Sequence, residues 1–365
     1  MEYRINKRTG DRISALGFGT AYIPETPEEQ AVETIRRAYE GGVNYFDLAT
    51  ADGKTFPFFR KALGDVRDKV LYQVHFGADY SAGTYGWSTD GETIRRSVND
   101  QLKQLDTDYI DYGFIHCLDE ISDWEEYKQG GALDYLMQLK QEGVVHHIGL
   151  SSHTPSAIRM VLDGTDVDML MFSVNPAYDY QQGEYARGSV DERAEAYRRC
   201  EAEGIGISVM KPFSGGQLLD GAASPFGKAL SRYQCMQYAL DRPGVLTVLP
   251  GMASVEQVED LLGFFDADDS EKDYSIVATF GPAESRGKCV YCNHCKPCPV
   301  GLDIGLINKY YDLSRVGDDM AREHYLGLEK NASDCIGCGH CNSRCPFGVD
   351  QVSRMQEIED YFGRE

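Results

Sequence analysis

Two runs of cysteines near the C-terminal end constrain this chain more than any other feature. The first reads CVYCNHCKPCP over residues 289–299, and the second reads CIGCGHCNSRCP over residues 335–346. Each run holds four cysteines and closes on Cys-Pro. Sets of four cysteine thiolates are the usual ligands of 4Fe–4S clusters, and closely spaced runs of this kind are typical of them. The two runs therefore predict two 4Fe–4S clusters.

The last cysteine of such a run commonly serves the other cluster. We therefore assign one cluster to Cys289, Cys292, Cys295 and Cys345, and the second to Cys298, Cys335, Cys338 and Cys341. A zinc ribbon needs only two Cys-x-x-Cys pairs and leaves four cysteines unexplained. Disulfides fit poorly with a chain that shows no secretory signal. The other three cysteines are predicted to be buried structural thiols: Cys117, Cys200 and Cys235.

Before the cysteine runs, short apolar segments alternate with longer amphipathic ones. The predicted strands are 15–19, 45–49, 70–76, 109–116, 144–150, 169–174, 206–210 and 246–250. The predicted helices between them include 28–41, 91–105, 132–142, 190–203, 227–241 and 254–264. Eight strands followed by helices indicate a (β/α)₈ TIM barrel. We expect the barrel over residues 1–266 and a ferredoxin-like domain with two 4Fe–4S clusters over residues 267–365.

The chemistry of such a barrel lies at the C-terminal ends of its strands. The polar residues and the glycine at these positions are Asp47, Asp52, His75, His116, Ser151, Ser152, His153, Asn175, Lys211 and Gly251. A long loop over residues 77–91 follows the third strand. Its Tyr80, Tyr85 and Trp87 either wall a substrate pocket or pack the loop down. Residues 2–14 are predicted to form a hairpin over the opposite end of the barrel.

The charge of the chain limits its partners. A net charge of −22 argues against nucleic acid, whose phosphates require a basic surface. The chain has no apolar run of the roughly 18 residues that a membrane span needs, and its first ten residues have no apolar core. We expect a cytoplasmic protein that acts on a small molecule. An electron-transfer protein could dock only through a local basic patch such as Arg286, Lys288 and Lys296.

Several segments resemble aldo/keto reductases, and the match extends over nearly the whole chain with the strand order preserved. They are NYFDLA at 44–49, DYIDYGFIH at 108–116, HIGLSS at 147–152, NP at 175–176, VMKPFSGGQL at 209–218 and VLPGM at 248–252. Together with the cysteine runs, they resemble the subgroup with a C-terminal ferredoxin-type domain. The resemblance implies NADPH bound at the top of the barrel and carbonyl reduction by an Asp, a Tyr, a Lys and a His.

Two of these four catalytic residues are replaced. Asp47 and His116 match the family positions. Asp52 stands where the family has its proton-donating Tyr, and His75 stands where it has its Lys. We therefore predict a catalytic set of Asp47, Asp52, His75 and His116, with Asp52 and His75 carrying the chemistry.

The cofactor positions of the family are altered as well. The resemblance places Ser151, Ser152, Asn175, Lys211 and Gly251 around a cofactor or substrate. However, Met171 stands where the family has the Gln that holds the nicotinamide. Gln257 replaces the Arg that binds the 2′-phosphate, and Leu261 replaces the Asn that lies against the adenine. Loss of an Arg–phosphate pair removes a strong charge-assisted contact. We therefore expect NADPH to bind weakly.

Three interpretations of the altered pocket remain open. The imidazoles and carboxylates form a new acid/base set, they bind an additional metal ion in the barrel, or they are a satisfied polar cluster in a degenerate enzyme. The first function hypothesis is an iron–sulfur oxidoreductase that passes electrons through the two clusters to or from a small organic substrate. The alternatives are a non-redox lyase or isomerase that uses the Asp/His pocket, and an NADPH-dependent carbonyl reductase.

Overall fold

The strands of the protein build one parallel sheet and two small antiparallel pairs. The structure is a computed structural model that describes residues 1–180, 185–279, 287, 289, 291, 294–315, 319–345 and 347–363. Its strands are β1 (Tyr3–Ile5), β2 (Arg12–Ser14), β3 (Tyr45–Asp47), β4 (Leu71–Phe76), β5 (Ala78–Asp79), β6 (Gly86–Trp87), β7 (Ile110–Ile115), β8 (Val145–Ser152), β9 (Met169–Ser173), β10 (Gly206–Met210) and β11 (Val245–Val248). The main sheet has the order β11-β10-β9-β8-β7-β4-β3. All seven strands were predicted from the sequence, to within a few residues.

Residues 15–19 supply the eighth strand position and close the sheet into a barrel. Gly17 donates its N–H to the carbonyl of Val248, and Phe18 donates to the carbonyl of Tyr45, so the segment lies between β11 and β3. A side chain at Gly19 would place its Cβ 2.7 Å from the backbone oxygen of Leu249. Glycine is required there because the backbones approach so closely. The predicted (β/α)₈ barrel is confirmed.

The helices follow the strands in the alternating order that the sequence predicts. They are α1 (Glu28–Glu40), α2 (Phe56–Leu63), α3 (Gly91–Leu105), α4 (Ile121–Gln129), α5 (Ala132–Glu142), α6 (Pro155–Gly164), α7 (Pro176–Asp179), α8 (Val190–Ala202), α9 (Arg232–Leu240), α10 (Val255–Leu262), α11 (Asp269–Lys272), α12 (Ile304–Ser314), α13 (Asp319–Leu326), α14 (His340–Arg344) and α15 (Gln351–Phe362). The predicted start of α9 at residue 227 is wrong. Ser231 and Gln234 form a capping box that begins the helix at Arg232.

The N-terminal hairpin was also predicted. Strands β1 and β2 pair antiparallel. Asn6, in the turn, donates from Nδ2 to the carbonyl oxygen of Asp168, the residue before β9. Asp11 accepts a hydrogen bond of 2.6 Å from the hydroxyl of Tyr112. These contacts hold the hairpin at the end of the barrel where the strands begin, away from the predicted chemistry.

The described residues group into two compact units. The first comprises Met1–Val174, Ile205–Phe213 and Leu246–Asp268, and it contains the barrel strands. The second comprises Asn175–Gly204, Ser214–Val245 and Asp269–Glu365. The domain limits expected from the sequence, 1–266 and 267–365, stay a prediction. Within the described ranges, no helix is long and apolar enough to span a bilayer.

The second unit has an apolar core of its own around the cysteine region. Its buried members come from helices α12 to α15, from the segment before α12 and from the turn before α14: Cys295, Leu302, Ile304, Ile307, Tyr311, Tyr325, Ala332, Cys341, Met355, Ile358 and Phe362. Helix α12 lies in the stretch between the two cysteine runs. Two of the predicted cluster ligands are thus part of the core itself.

Candidate functional site

Three of the four predicted catalytic side chains meet where β3, β4 and β7 end. Asp47 closes β3, His75 lies near the end of β4 and His116 follows β7. The Nε2 atom of His75 lies 2.7 Å from Oδ1 of Asp47, and its Nδ1 atom lies 2.8 Å from Nδ1 of His116. All three residues are more than nine-tenths buried. The strand ends therefore hold a short chain of hydrogen bonds that is shielded from water.

A glutamine in the barrel interior fixes one end of this chain. Gln73, two residues before His75 on β4, donates from Nε2 to Oδ1 of Asp47 at 3.1 Å. Its Oε1 atom accepts hydrogen bonds from the hydroxyls of Tyr45 at 2.7 Å and Ser208 at 3.1 Å. These donors determine which way the amide of Gln73 faces. The Asp47 carboxylate is thus oriented by an amide from β4, which side chains from β3 and β10 hold in place.

The other end of the chain is a tyrosine from the long loop after β4. The Tyr85 hydroxyl lies 2.9 Å from Nε2 of His116, and the Trp87 indole donates to the His116 carbonyl at 3.2 Å. The Tyr80 hydroxyl donates to the carbonyl of Thr50. Tyr85 is 42% exposed, as is Trp87, and its hydroxyl is the group that contacts an imidazole nitrogen of His116. It is the residue through which the chain reaches solvent.

The electrostatics of the site favour a neutral His116 and a protonated Tyr85. Burial lowers the pKa of His116 well below its usual value; His75 and His153 add to this effect, and Asp119 opposes it. Burial, with Cys117 and Asp119 nearby, raises the pKa of Tyr85 to about 12. At neutral pH the phenol is therefore a proton donor, and the imidazole beside it carries one N–H.

Two proton arrangements satisfy each hydrogen bond in the series from Tyr85 through the two histidines to Asp47, and they differ by one proton. With neutral His75, Tyr85 donates to His116, His116 donates to His75, and His75 donates to Asp47. With a protonated His75, the first two hydrogen bonds reverse, and the Tyr85 O–H is free to donate outward. Proton release from Tyr85 converts the second arrangement into the first. The site can therefore deliver or take up one proton without moving a heavy atom.

The fourth predicted catalytic residue has different neighbours. Asp52 accepts a hydrogen bond from the backbone N–H of Lys54 at 2.9 Å, and its Oδ2 atom lies 3.1 Å from the Lys54 ammonium. These contacts lower the pKa of Asp52, the backbone hydrogen bond most of all. Among the described contacts, none joins the Asp52 carboxylate to the two histidines. Its catalytic role stays a prediction.

At the positions that would grip a dinucleotide, the structure has local contacts. The Met171 sulfur accepts a hydrogen bond from Gln73 at 3.1 Å. Gln257 accepts one from the backbone of Ala253 at 2.8 Å, and Leu261 is 2% exposed. Neither Met171 nor Leu261 carries a charged or strongly polar group that could hold a phosphate or an amide.

The five residues predicted to surround a cofactor or substrate follow β8, β9, β10 and β11. Ser151 and Ser152 are buried, and Ser152 donates to Oδ1 of Asp119 at 3.2 Å. Asn175 caps α7 by accepting a hydrogen bond from the N–H of Tyr178. Lys211 has a left-handed backbone with φ of 54°. A side chain at Gly251 would meet the ring of Tyr22, so glycine keeps this position open.

In the second unit, four cysteines line one small cavity. They are Cys298, Cys335, Cys338 and Cys341, the four residues assigned above to one cluster. Burial raises the pKa of the Cys341 thiol, and its neighbours Cys335 and Cys338 raise it further. Thiolates this close together repel one another unless a cation lies among them. Four thiols around one cavity are the donor set that a 4Fe–4S cluster requires.

The other predicted cluster is only partly described. Cys295 is buried in the core of the second unit, and Cys292 lies outside the described residues. The Cys289 sulfur lies 3.9 Å from the side-chain amide of Gln351, and the Cys345 sulfur lies 3.4 Å from the backbone N–H of Val349. Such N–H donors stabilise a thiolate. The assignment of these four cysteines stays a prediction.

The basic patch predicted for a protein partner is also only partly described. Arg286 and Lys288 lie outside the described residues. Lys296 forms an ion pair with Asp303 at 2.9 Å and is partly exposed.

Comparison with known proteins identifies both parts of the chain. Residues 15–229 match the model of the aldo/keto reductase family, and residues 286–349 match that of a 4Fe-4S dicluster domain. L-Galactose dehydrogenase of Arabidopsis thaliana is 26% identical over 293 residues, which is 71% of this chain and 86% of the plant protein. The uncharacterized oxidoreductase YqkF of Bacillus subtilis is 24% identical over 273 residues, or 68% of this chain and 86% of that protein.

Solved structures agree in fold. The holo form of an aldo-keto reductase from Bacillus halodurans has a TM-score of 0.64 at 23% identity, covering 78% of this chain and 97% of its own. An aldo-keto reductase from Klebsiella pneumoniae in complex with NADPH has a TM-score of 0.58 at 19% identity, with the same coverage. Since the family model spans more than half of the sequence, the chain belongs to the aldo/keto reductase family and carries a C-terminal 4Fe-4S domain.

Proposed function

We propose that this protein is an iron–sulfur oxidoreductase that transfers electrons to or from a small organic substrate in the barrel pocket. When bound to the cysteines of the two runs, 4Fe–4S clusters supply or accept electrons one at a time. The role of the barrel residues is then to manage the proton that accompanies those electrons. The observation that carries the proposal is the buried chain from Asp47 through His75 and His116 to Tyr85.

Reduction of an organic substrate leaves a negative charge that must be neutralised by a proton. Tyr85 is half-exposed and has a raised pKa, so it holds its proton until a stronger base lies against it. When Tyr85 releases this proton, His116 and His75 replace it through hydrogen bonds of 2.9 and 2.8 Å. Asp47 accepts the hydrogen bond from Nε2 of His75 on the other side. For oxidation of a substrate the same chain runs in reverse.

The contacts at the dinucleotide positions support a reaction without NADPH. Met171 is engaged with Gln73, and Leu261 is buried. The clusters would then take the place of the nicotinamide as the electron source. An electron-transfer protein that docks near Lys296 would load them.

The proposal is tested by following cluster oxidation in the intact protein. The anaerobically purified chain is reduced with dithionite, freed of the excess, and mixed with a panel of small aldehydes, ketones and unsaturated carboxylic acids. We expect one class of acceptor to restore the bleached cluster absorbance at a rate that saturates with its concentration. His75→Gln, with unchanged iron content, should lose the saturable phase.

Two results would contradict the proposal. In one, a panel compound is converted while the clusters stay reduced, which favours a non-redox lyase or isomerase. In the other, His75→Gln reoxidises at the wild-type rate, which means that the acceptor reacts with the clusters outside the barrel pocket.

A further inference from the structure

Three residues beside the proton chain form a second group of possible ligands. Cys117 follows His116 after β7, Asp119 lies two residues further on, and His153 follows β8. One thiol, one carboxylate and one imidazole atom from these residues lie within 4.8 Å of one another. No sequence pattern connects them, because Cys117 is predicted to be a structural thiol and no spacing rule links it to His153.

From this geometry we propose that Cys117, Asp119 and His153 bind a zinc ion. Zinc accepts sulfur, nitrogen and oxygen ligands, and three protein ligands with an open fourth position are typical of catalytic zinc. Zinc–ligand bonds of about 2.0 to 2.3 Å in a tetrahedron separate neighbouring ligand atoms by roughly 3.3 to 3.6 Å. The Cys117 sulfur lies 4.0 Å from Oδ2 of Asp119, and Nδ1 of His153 lies 2.9 Å from the same oxygen. Changes of about half an ångström bring these two distances to the tetrahedral spacing, and the thiol and imidazole ligand atoms lie within 4.8 Å of each other.

The carboxylate of the trio is held in place by other groups. Oδ1 of Asp119 accepts hydrogen bonds from the backbone N–H of His153 at 2.6 Å and from the Ser152 hydroxyl at 3.2 Å. The backbone N–H of Asp119 donates in turn to the carboxylate of Asp123 at 3.1 Å. Supporting hydrogen bonds of this kind orient metal ligands. They leave Oδ2 facing the thiol and the imidazole.

Charge favours a cation over a simple hydrogen-bonded cluster. A thiol that ionises beside a carboxylate gathers two negative charges in one place, whereas a dication stabilises both and deprotonates the thiol. His153 is 6% exposed, so the trio is shielded from bulk water on at least one side.

This inference does not depend on the electron-transfer reaction proposed above, although the two would cooperate. Cys117 and Asp119 both act to raise the pKa of Tyr85. A zinc ion held by these residues reverses the sign of that local field and makes Tyr85 a stronger acid. Its open position offers a place for a substrate oxygen.

The test measures zinc directly. The anaerobically prepared protein is treated with a chelator mild enough to leave its iron intact, given a small excess of zinc, and passed through a desalting column. We expect about one zinc per chain with unchanged iron content. Cys117→Ser and His153→Gln should each weaken zinc affinity at least about a hundredfold, since even loss of a supporting residue costs ten- to a hundredfold. Cys235→Ser, at a buried thiol in the second unit, should retain the zinc.

Zinc in a damaged cluster motif is a separate outcome, and X-ray absorption at the zinc edge distinguishes it. The proposed site gives one sulfur and otherwise nitrogen or oxygen neighbours, whereas a cysteine run gives four sulfurs. Four sulfurs would overturn the proposal. So would wild-type protein that retains well under one zinc per chain, or variants that keep their iron and hold zinc as tightly as the wild type.

Discussion

The barrel pocket and the cysteine region achieve order in different ways. In the pocket, hydrogen bonds between side chains of the protein itself connect the candidate catalytic residues: Gln73, Asp47, His75, His116 and Tyr85. In the cysteine region, four thiols surround a cavity, and one of them, together with one further thiol, forms part of a small apolar core. A polar chain that satisfies itself needs no added group, whereas clustered thiols gain most of their stability when metal binds. The barrel is thus organised before any cofactor arrives, and the cysteine region is completed by one.

The largest expected effect comes from removing a single cysteine. Cys298→Ser should damage the cluster of the opposite run, reducing iron from about eight to about four per chain and abolishing electron transfer. Because the cysteines belong to the core of the second unit, this unit should also lose its protection from hydrogen exchange. Iron analysis and exchange measured by mass spectrometry check both.

Cys235→Ser is the matched control, since its thiol is buried and its burial raises its pKa to about 12. The contrast between the two regions fails if Cys298→Ser also loosens the barrel strands, or if it leaves the iron count unchanged.

The next largest effect separates the two carboxylates. Asp47→Asn should lower the rate of cluster-dependent turnover about 10² to 10⁴-fold, because it removes the partner of His75. Asp52→Asn should change the rate less than about threefold, since that side chain contacts Lys54. Stopped-flow reoxidation with the same acceptor compares them. Equal losses in both variants would return Asp52 to the catalytic set that the sequence predicts.

A third prediction concerns the phenol at the end of the chain. Tyr85→Phe should lower turnover about 10² to 10³-fold, with little change in stability because the ring is partly exposed. Tyr109→Phe is the control and should keep full activity. The Tyr109 hydroxyl lies near the start of β7 and donates to the Arg67 carbonyl. Full activity in Tyr85→Phe would mean that protons enter the pocket elsewhere.

NADPH binding tests whether the barrel pocket needs a soluble cofactor. The contacts missing at the positions of Met171 and Gln257 are worth roughly 1.5 to 3 kcal/mol each. Without them, the dissociation constant of NADPH should lie in the high micromolar range or above. Fluorescence titration measures it. Affinity in the low micromolar range would contradict the prediction and support a conventional reductase.

The smallest expected effect is that of His116→Gln on how the free energy of unfolding depends on pH. The pKa of His116 is lowered in the folded protein, so below about pH 6.5 the unfolded chain takes up a proton that the folded chain refuses. This contribution therefore favours folding above that pH and is lost as the pH falls, by at most about 1.4 kcal/mol per pH unit. Denaturant unfolding between pH 7 and 5 should show a shallower pH dependence in His116→Gln than in the wild type. An identical slope would mean that His116 titrates normally.

Much of the barrel could be predicted from the sequence, and so could the meeting of three candidate catalytic side chains at its strand ends. Strand periodicity places Asp47, His75 and His116 at strand ends, and parallel strands bring those ends together whatever the loops do. Tyr85 could not be assigned in this way because its position depends on the path of the β5–β6 loop, where Gly83 adopts a φ of 88°. The neighbours of Asp52 could not be predicted for the opposite reason, since a local turn around Lys54 decides where its carboxylate faces.

The segment at residues 15–19 pairs with both the first and the last strands of the sheet, and this has a consequence for how the chain is made. Phe46 follows it closely in the sequence, whereas Val248 and Gly251 leave the ribosome only after the whole barrel has been synthesised. Until then one edge of the nascent sheet is unpaired, and pairing across such a separation is slow. Exposed strand edges recruit other chains. Truncated or stalled chains that end before residue 245 should therefore be the aggregation-prone species of this protein, and they should bind chaperones that the full-length chain no longer needs.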